Sequence, residues 1–258
     1  MAIDLPTLLR AYAAGLFPMA DDREARSIFW VQPEKRAILP LDGFHMSHSL
    51  AKTIRSDCFV VTADRAFGQV ITLCAESALD RPTTWINAEI EDAFLRLHAL
   101  GLAHSIECWH ETGGRRHLVG GLYGLALGRA FFGESMFSRA TDASKVALAW
   151  LVARLRAGGY TLLDCQFMTS HLATLGAIEI DASDYSVLLD AALGNAAGGP
   201  ADGATGATAP DFAALESLAL LGSAALSETL ESAARPATFT VSGEVSGQLI
   251  AQLITQTS

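Results

Sequence analysis

Two acidic side chains lie inside otherwise apolar, strand-like sequence: Glu134 in FFGESMFSRATDASK and Asp164 in YTLLDCQF. A carboxylate beside Phe131, Phe132, Leu162 and Leu163 is costly to bury unless a cation or hydrogen-bond donors meet it. Two such acids, linked by one predicted helix, point to a site that receives positive charge or handles a proton. Side chains alternate between faces along a strand, so Leu162, Asp164 and Gln166 share one face and Leu163, Cys165 and Phe167 the other. Asp164 and Gln166 then lie ~7 Å apart, within reach of one substrate group. The same spacing suits a structural pairing of Asp164 with a buried base or with backbone N–H groups. Glu134 ends a strand ahead of Ser135, Met136, Phe137, Ser138 and Arg139, where the next helix start at Ala143 offers free N–H groups and a positive dipole end. It suits a cap partner or an ion pair with Arg139 equally well. No histidine is placed by the sequence to activate Ser135 or Ser138 as a nucleophile.

Aromatic and basic residues supply weaker signals. Trp85 precedes a helix capped by Asn87, and Phe94 lies further along that helix; rings at a helix start can stack on a base, and they also build cores. Lys35, Arg36, Lys52, Arg55 and Arg65 make the N-terminal third locally basic, which allows phosphate contacts. Gly120-Gly121 in HLVGGLYG lacks the G-x-G-x-x-G order and reads as close backbone packing or a bulge, not a dinucleotide loop.

The elements around these residues follow from periodicity. Leu5, Leu8, Leu9, Tyr12 and Leu16 repeat at helical spacing, with Asp4 as cap and Gly15 near the stop. IFWVQPEKRAILPL reads as short extended pieces broken by Pro33 and Pro40, and CFVVTA as a strand. Asp64 caps a helix with the stripe Phe67, Val70, Ile71 and Cys74. The Asn87 helix turns Ile90, Phe94, Leu97 and Leu100 inward and stops at Gly101. HSIECWHE, HLVGGLYGLAL and RAFFGES are strand-like, with a turn at T-G-G-R. A helix capped by Thr141 or Asp142 runs to Arg156 before Gly158-Gly159. The strand around Asp164, a short turn in HLATLGA and an apolar piece over residues 185–189 complete the body.

The chain has 258 residues, half of them hydrophobic, and a net charge of −10. Residues 190–258 hold seven acids and one base, Arg235, so the body carries only −4. No apolar run reaches the ~18–20 residues that span a bilayer, and the N-terminus lacks the order of a signal peptide. A cytoplasmic protein is expected. Cys58, Cys74, Cys108 and Cys165 show no metal-site spacing and read as buried reduced thiols. GNAAGGPADGATGATAP is too poor in large side chains to offset chain entropy and reads as a flexible linker; a helix over residues 211–233 is expected beyond it.

Taken in order, AYAAGLFPM, FWVQPEKRAIL, AFGQVITLCA, TTWINAEIEDAFLRLHALGLAHSIECW, LVGGLYGLALGRAFFGESMFSRATDASKVAL and LLDCQFMTSHLATLGA resemble the leucyl/phenylalanyl-tRNA–protein transferase family. The resemblance spans roughly residues 8–189. GESMFS followed by ASK and DCQ is its most specific part. It implies an α+β fold: a small N-terminal α/β domain over residues 1–62 and a GNAT-like acyltransferase domain over 63–193. Residues 194–258, a linker and acidic tail, fall outside it. It implies transfer of leucine or phenylalanine, and less well methionine, from aminoacyl-tRNA to proteins that begin with arginine or lysine, marking them for degradation in the N-degron pathway. No cofactor, metal or membrane is implied. The family's acidic pair falls on Glu134 and Asp164 and its glutamine on Gln166. Its apolar pocket falls on Leu122, Phe131 and Ser138 or its neighbours, and the tryptophan meeting the tRNA 3′ adenosine falls on Trp85. Three positions depart from the pattern: Phe94 and Thr169 stand where tyrosine and asparagine can occur, and Leu122 replaces a methionine.

The chemistry agrees with that resemblance. An aminoacyl ester is already activated, so the attacking α-amine, with a pKa near 8, needs only to be neutral and well placed. Asp164 with Gln166 can orient the amine and take its proton, and Glu134 can hold the cationic acceptor; the spacing leaves these roles exchangeable. Two rivals are an acetyl-CoA-dependent acetyltransferase, which would need a pyrophosphate loop that GESMFSRATDASK lacks, and a non-catalytic tRNA-binding module, which would need neither acid.

Overall fold

The computed structural model describes residues 2–76, 83–194, 209–219 and 245–255. A seven-stranded sheet organises it. The strands are β3 (Lys35–Ile38), β4 (Val60–Ala63), β5 (Ala103–Thr112), β6 (Arg115–Leu127), β7 (Ala130–Ser138), β8 (Leu162–Gln166) and β9 (Ile178–Asp181), in the order β4-β5-β6-β7-β8-β3-β9. Every pairing is antiparallel except β7 with β8. A parallel pair needs a crossover, here the helix α5 (Ala143–Ala157). A separate hairpin joins β1 (Phe17–Met19) to β2 (Phe29–Val31).

Helices cover both faces. On one lie α1 (Leu5–Ala13), α3 (Phe67–Ala75), α4 (Ala88–Ala99) and α7 (Ala182–Leu193), whose apolar stripes share a core with Tyr123, Phe132 and Leu162. On the other lie α2 (His48–Arg55), α5, the short α6 (Ser170–Ala173) and α8 (Gly247–Thr255), around Ile106, Leu122, Phe131 and Leu163. The mixed α+β class that the resemblance implies is present. Strand β3, from the N-terminal segment, sits between β8 and β9, inside the sheet. Among the described residues no helix is long and apolar enough to cross a membrane.

Local chemistry explains the elements. Asp4 caps α1 by accepting from Thr7 N at 2.9 Å, and Asn87 caps α4 by accepting from Ile90 N at 3.0 Å. Gly120 lets α5 approach β6: a Cβ there would sit 2.5 Å from that of Ala143, so the close-packing reading holds. Three expectations are corrected. Asp64 does not cap α3; its carboxylate accepts from Ser105 N at 2.9 Å and faces His104. Leu100 lies at the C-cap of α4 and is exposed rather than inward, because the helix ends before its stripe returns to the core. Cys58 is exposed and Cys165 half-buried, while Cys74 and Cys108 are buried as expected.

Part of the tail packs on the body. Phe212 stacks on Phe131 (5.8 Å) and on His104 (4.0 Å), and Arg154 of α5 donates to Phe212 O (2.7 Å) and to Glu216 (2.6 Å). Leu215, Ile250, Ala251 and Ile254 are buried against the α5 face. Apolar residues spaced along an acidic, Gly/Ala-rich sequence suffice to anchor it where a cation and an apolar face are offered. Of the expected helix over 211–233, residues 214–219 are helical and 211–213 form the turn that leads into them; residues 220–233, and most of the expected linker, lie outside the described residues.

Candidate functional site

The parallel pair β7–β8 is in register for only three residue pairs, Ala130↔Leu162, Phe131↔Leu163 and Phe132↔Asp164, after which no further pairing continues. The strands part just before Glu134 and Gln166, and a cavity of about 370 Å³ opens there. Its apolar wall comes from Leu122 of β6, Met136 of β7, Leu148 and Leu151 of α5, Leu163 of β8 and Leu172 of α6. Its polar wall comes from Glu134, Ser135, Gln166, Thr169 and His171, and Trp85 and Phe167 add two aromatic rings.

Glu134 is 7% exposed. Its Oε1 accepts from the Tyr12 hydroxyl at 2.8 Å and from Gln166 Nε2 at 2.9 Å. Its Oε2 has no hydrogen-bond partner among the described residues. Burial pushes its carboxyl up to about 8, against the lowering effect of those two donors; Asp164 adds to the rise and Arg36 opposes it.

Asp164 is differently placed. It is fully buried and does not line the cavity. Arg36 of β3 grips both oxygens, with Nε to Oδ1 at 2.9 Å and Nη2 to Oδ2 at 2.5 Å. The Tyr185 hydroxyl of α7 donates to Oδ2 at 2.8 Å, and Gln166 N donates to Oδ1 at 2.8 Å. Burial alone would lower the Arg36 guanidinium, but the Asp164 partnership outweighs it and holds it raised. Of the two readings open for Asp164, the geometry is that of the buried pair. Gln166 takes the left-handed φ of 63°, which breaks the strand alternation and swings its amide to Glu134 instead of beside Asp164.

Of the residues singled out in the sequence, Trp85, Leu122, Glu134, Gln166 and Thr169 meet at the cavity. Phe94, Phe131, Ser138 and Asp164 do not line it. Phe94 is core, edge-on to Tyr12 (6.4 Å) and Tyr123 (5.3 Å). Phe131 turns to Tyr160 and the tail. Ser138 is exposed; its hydroxyl donates to Ala140 O (2.9 Å) and accepts from Ser144 N (3.3 Å) at the α5 start. Thr169 caps α6, accepting from Leu172 N at 3.1 Å. Sequence reasoning missed Tyr12, Tyr185, His171 and the role of Arg36, which it grouped with the bases open to phosphate contacts. One signal was present: an arginine leading the apolar run AIL of a short strand calls for a buried acid.

A model described as leucyl/phenylalanyl-tRNA protein transferase matches residues 38–190, and one for that family's N-terminal domain matches residues 1–34. The chain belongs to the leucyl/phenylalanyl-tRNA–protein transferase family. A protein of that name from Rhizorhabdus wittichii is 59% identical over 264 residues, covering 100% of this chain and 99% of that protein. Another from Zymomonas mobilis is 62% identical over 191 residues, covering 74% of this chain and 70% of that protein. A crystal structure of FemX superposes with a TM-score of 0.48 at 9% identity, over 68% of this chain and 66% of that one. Membership makes the chain an aminoacyltransferase acting between aminoacyl-tRNA and protein. The acetyltransferase and non-catalytic readings are set aside on those matches.

Proposed function

We propose that the cavity between β7 and β8 joins leucine or phenylalanine, and less well methionine, from aminoacyl-tRNA to the N-terminal arginine or lysine of acceptor proteins. The observation that carries this reading is the pairing of a free buried carboxylate oxygen, Glu134 Oε2, with a leucine-rich wall in one cavity. The wall suits an unbranched-at-Cβ apolar side chain, and rejection of isoleucine or valine by shape is worth ~1–3 kcal/mol. Trp85 at the same cavity suits stacking on the 3′ adenine. A GNAT-like arrangement is supported by the opening between the parallel strands β7 and β8 beside α5, and the cytoplasm is where charged tRNA is found.

Glu134 takes the proton in this reading. Its raised proton affinity keeps the carboxyl largely neutral near pH 7 before a substrate binds. A cationic acceptor entering beside it favours the carboxylate, so binding releases a proton. The neutral α-amine attacks the ester carbonyl carbon, its proton passes to Glu134, the C–O bond to the ribose breaks, and Glu134 hands that proton to the ribose oxygen as it leaves. Asp164, saturated by Arg36, Tyr185 and Gln166, holds the frame. Gln166 orients Glu134.

The test is radiolabelled Leu-tRNA incubated with the protein and a substrate beginning with Arg, beside controls beginning with Met or Ala. Label is expected in the Arg-starting substrate alone. Equal labelling of all three refutes the acceptor assignment, and no labelling by folded protein refutes the reading as a whole.

A further inference from the structure

Arg36 is 2% exposed and does not line the catalytic cavity, yet it gathers contacts from three separate segments. Its guanidinium lies 4.7 Å from the ring of Phe17 and 4.5 Å from that of Tyr185. Nη1 donates to Gly15 O at 3.0 Å, and Nε and Nη2 hold Asp164. Asp164 hands the constraint on by accepting from Gln166 N at 2.8 Å. Gln166 occupies a left-handed conformation that a residue with a side chain adopts only when its surroundings hold it there. From that turn its amide reaches Glu134 at 2.9 Å.

Charge follows the same route. Tyr12 of α1 and Gln166 of β8 donate to Glu134, Asp164 of β8 and Arg36 of β3 act on it by charge, Tyr123 of β6, Cys165 of β8 and His171 of α6 line the same cavity, and Tyr185 of α7 stands behind Asp164. Burial and carboxylate neighbours keep the Tyr12 and Tyr185 hydroxyls protonated, and burial with Lys145 lowers His171 toward the neutral imidazole. Arg36 and Asp164 are the full charges of this set, and they cancel.

We propose that Arg36 is a positioning residue: acting through Asp164, it fixes the turn that aims Gln166 at Glu134 and keeps a net-neutral wall behind the catalytic carboxyl. This rests on the reading of Glu134 given above. The direct probe is the infrared carbonyl band of protonated Glu134, assigned by its loss in Glu134→Gln and titrated against pH in the full-length protein. That band reports the proton whether or not leucine is transferred, so failure here is distinguishable from failure of the functional reading.

The wild-type band is expected to titrate near pH 8. Asp164→Asn leaves Arg36 as an uncancelled cation and should lower the midpoint by about one pH unit or more. Adding Arg36→Met to Asp164→Asn removes that cation and should return the midpoint close to wild type. If single and double variants titrate alike, Arg36 is merely structural and the proposal is overturned. Arg36→Lys guards against a misfolded single variant. It keeps the charge, but an ammonium cannot grip both Asp164 oxygens in the guanidinium's fork, so the loosened Gln166 donor should leave the midpoint at or slightly above wild type while kcat falls more than KM rises. A lowered midpoint in Arg36→Lys, or an unchanged kcat, also overturns the proposal.

Discussion

Replacing Glu134 by Gln should make the protein more stable at alkaline pH and far less active. The folded protein holds this carboxyl at about 8, against an ordinary value of 4.5. Between those values the native state binds a proton that the unfolded chain has released, so unfolding free energy falls as pH rises through the window. At about 1.4 kcal/mol per unit over this window, the loss approaches about 5 kcal/mol above pH 8. Glutamine has nearly the same shape, can still accept from Tyr12 through its oxygen, and does not titrate. Urea denaturation of both proteins at pH 5.5, 7 and 8.5 measures the effect: the stability difference should grow steadily in favour of the variant. Activity should move the other way, by the 10²- to 10⁴-fold typical of a lost general base, read as labelled leucine transferred from Leu-tRNA. Two proteins whose stabilities change in parallel with pH would refute the argument from burial. A variant with near wild-type transfer would refute the assignment of the base.

Trp85→Ala should weaken aminoacyl-tRNA binding by the ~1–3 kcal/mol of one base–aromatic stack, seen as a higher KM for Leu-tRNA with little change in kcat. Leu148→Phe narrows the cavity wall and should disfavour phenylalanine more than leucine, as competition between the two charged tRNAs will show. Phe212→Ala removes a ring stacked on Phe131 and His104 and should cost ~3–5 kcal/mol of stability, measured by denaturant titration; an unchanged midpoint would mean that this part of the tail contributes no stability.

The order of helices and strands was legible because it rests on local rules. Asp4 and Asn87 announce helix starts, Gly101 and Gly158-Gly159 announce stops, and the apolar stripe of Phe67, Val70, Ile71 and Cys74 is buried as its spacing requires. The oddity of two carboxylates in apolar surroundings was legible for the same reason, since burial of an acid is costly whatever the fold. Their division of labour was not. It depends on Arg36, 128 residues from Asp164 in sequence, and on Tyr12, 122 residues from Glu134. Strand alternation placed Gln166 beside Asp164, whereas the left-handed turn at Gln166 carries its amide to Glu134. Phe131, Phe94 and Ser138 show the same limit: periodicity assigns a side chain to a face, but only the packed sheet decides which face borders the opening between β7 and β8. The sequence by itself determined that two acids had to be met by charge or by hydrogen bonds. The tertiary structure decided that Arg36 neutralises one of them and that the other keeps a free oxygen at the cavity, because partners so far apart along the chain are chosen only when the sheet closes.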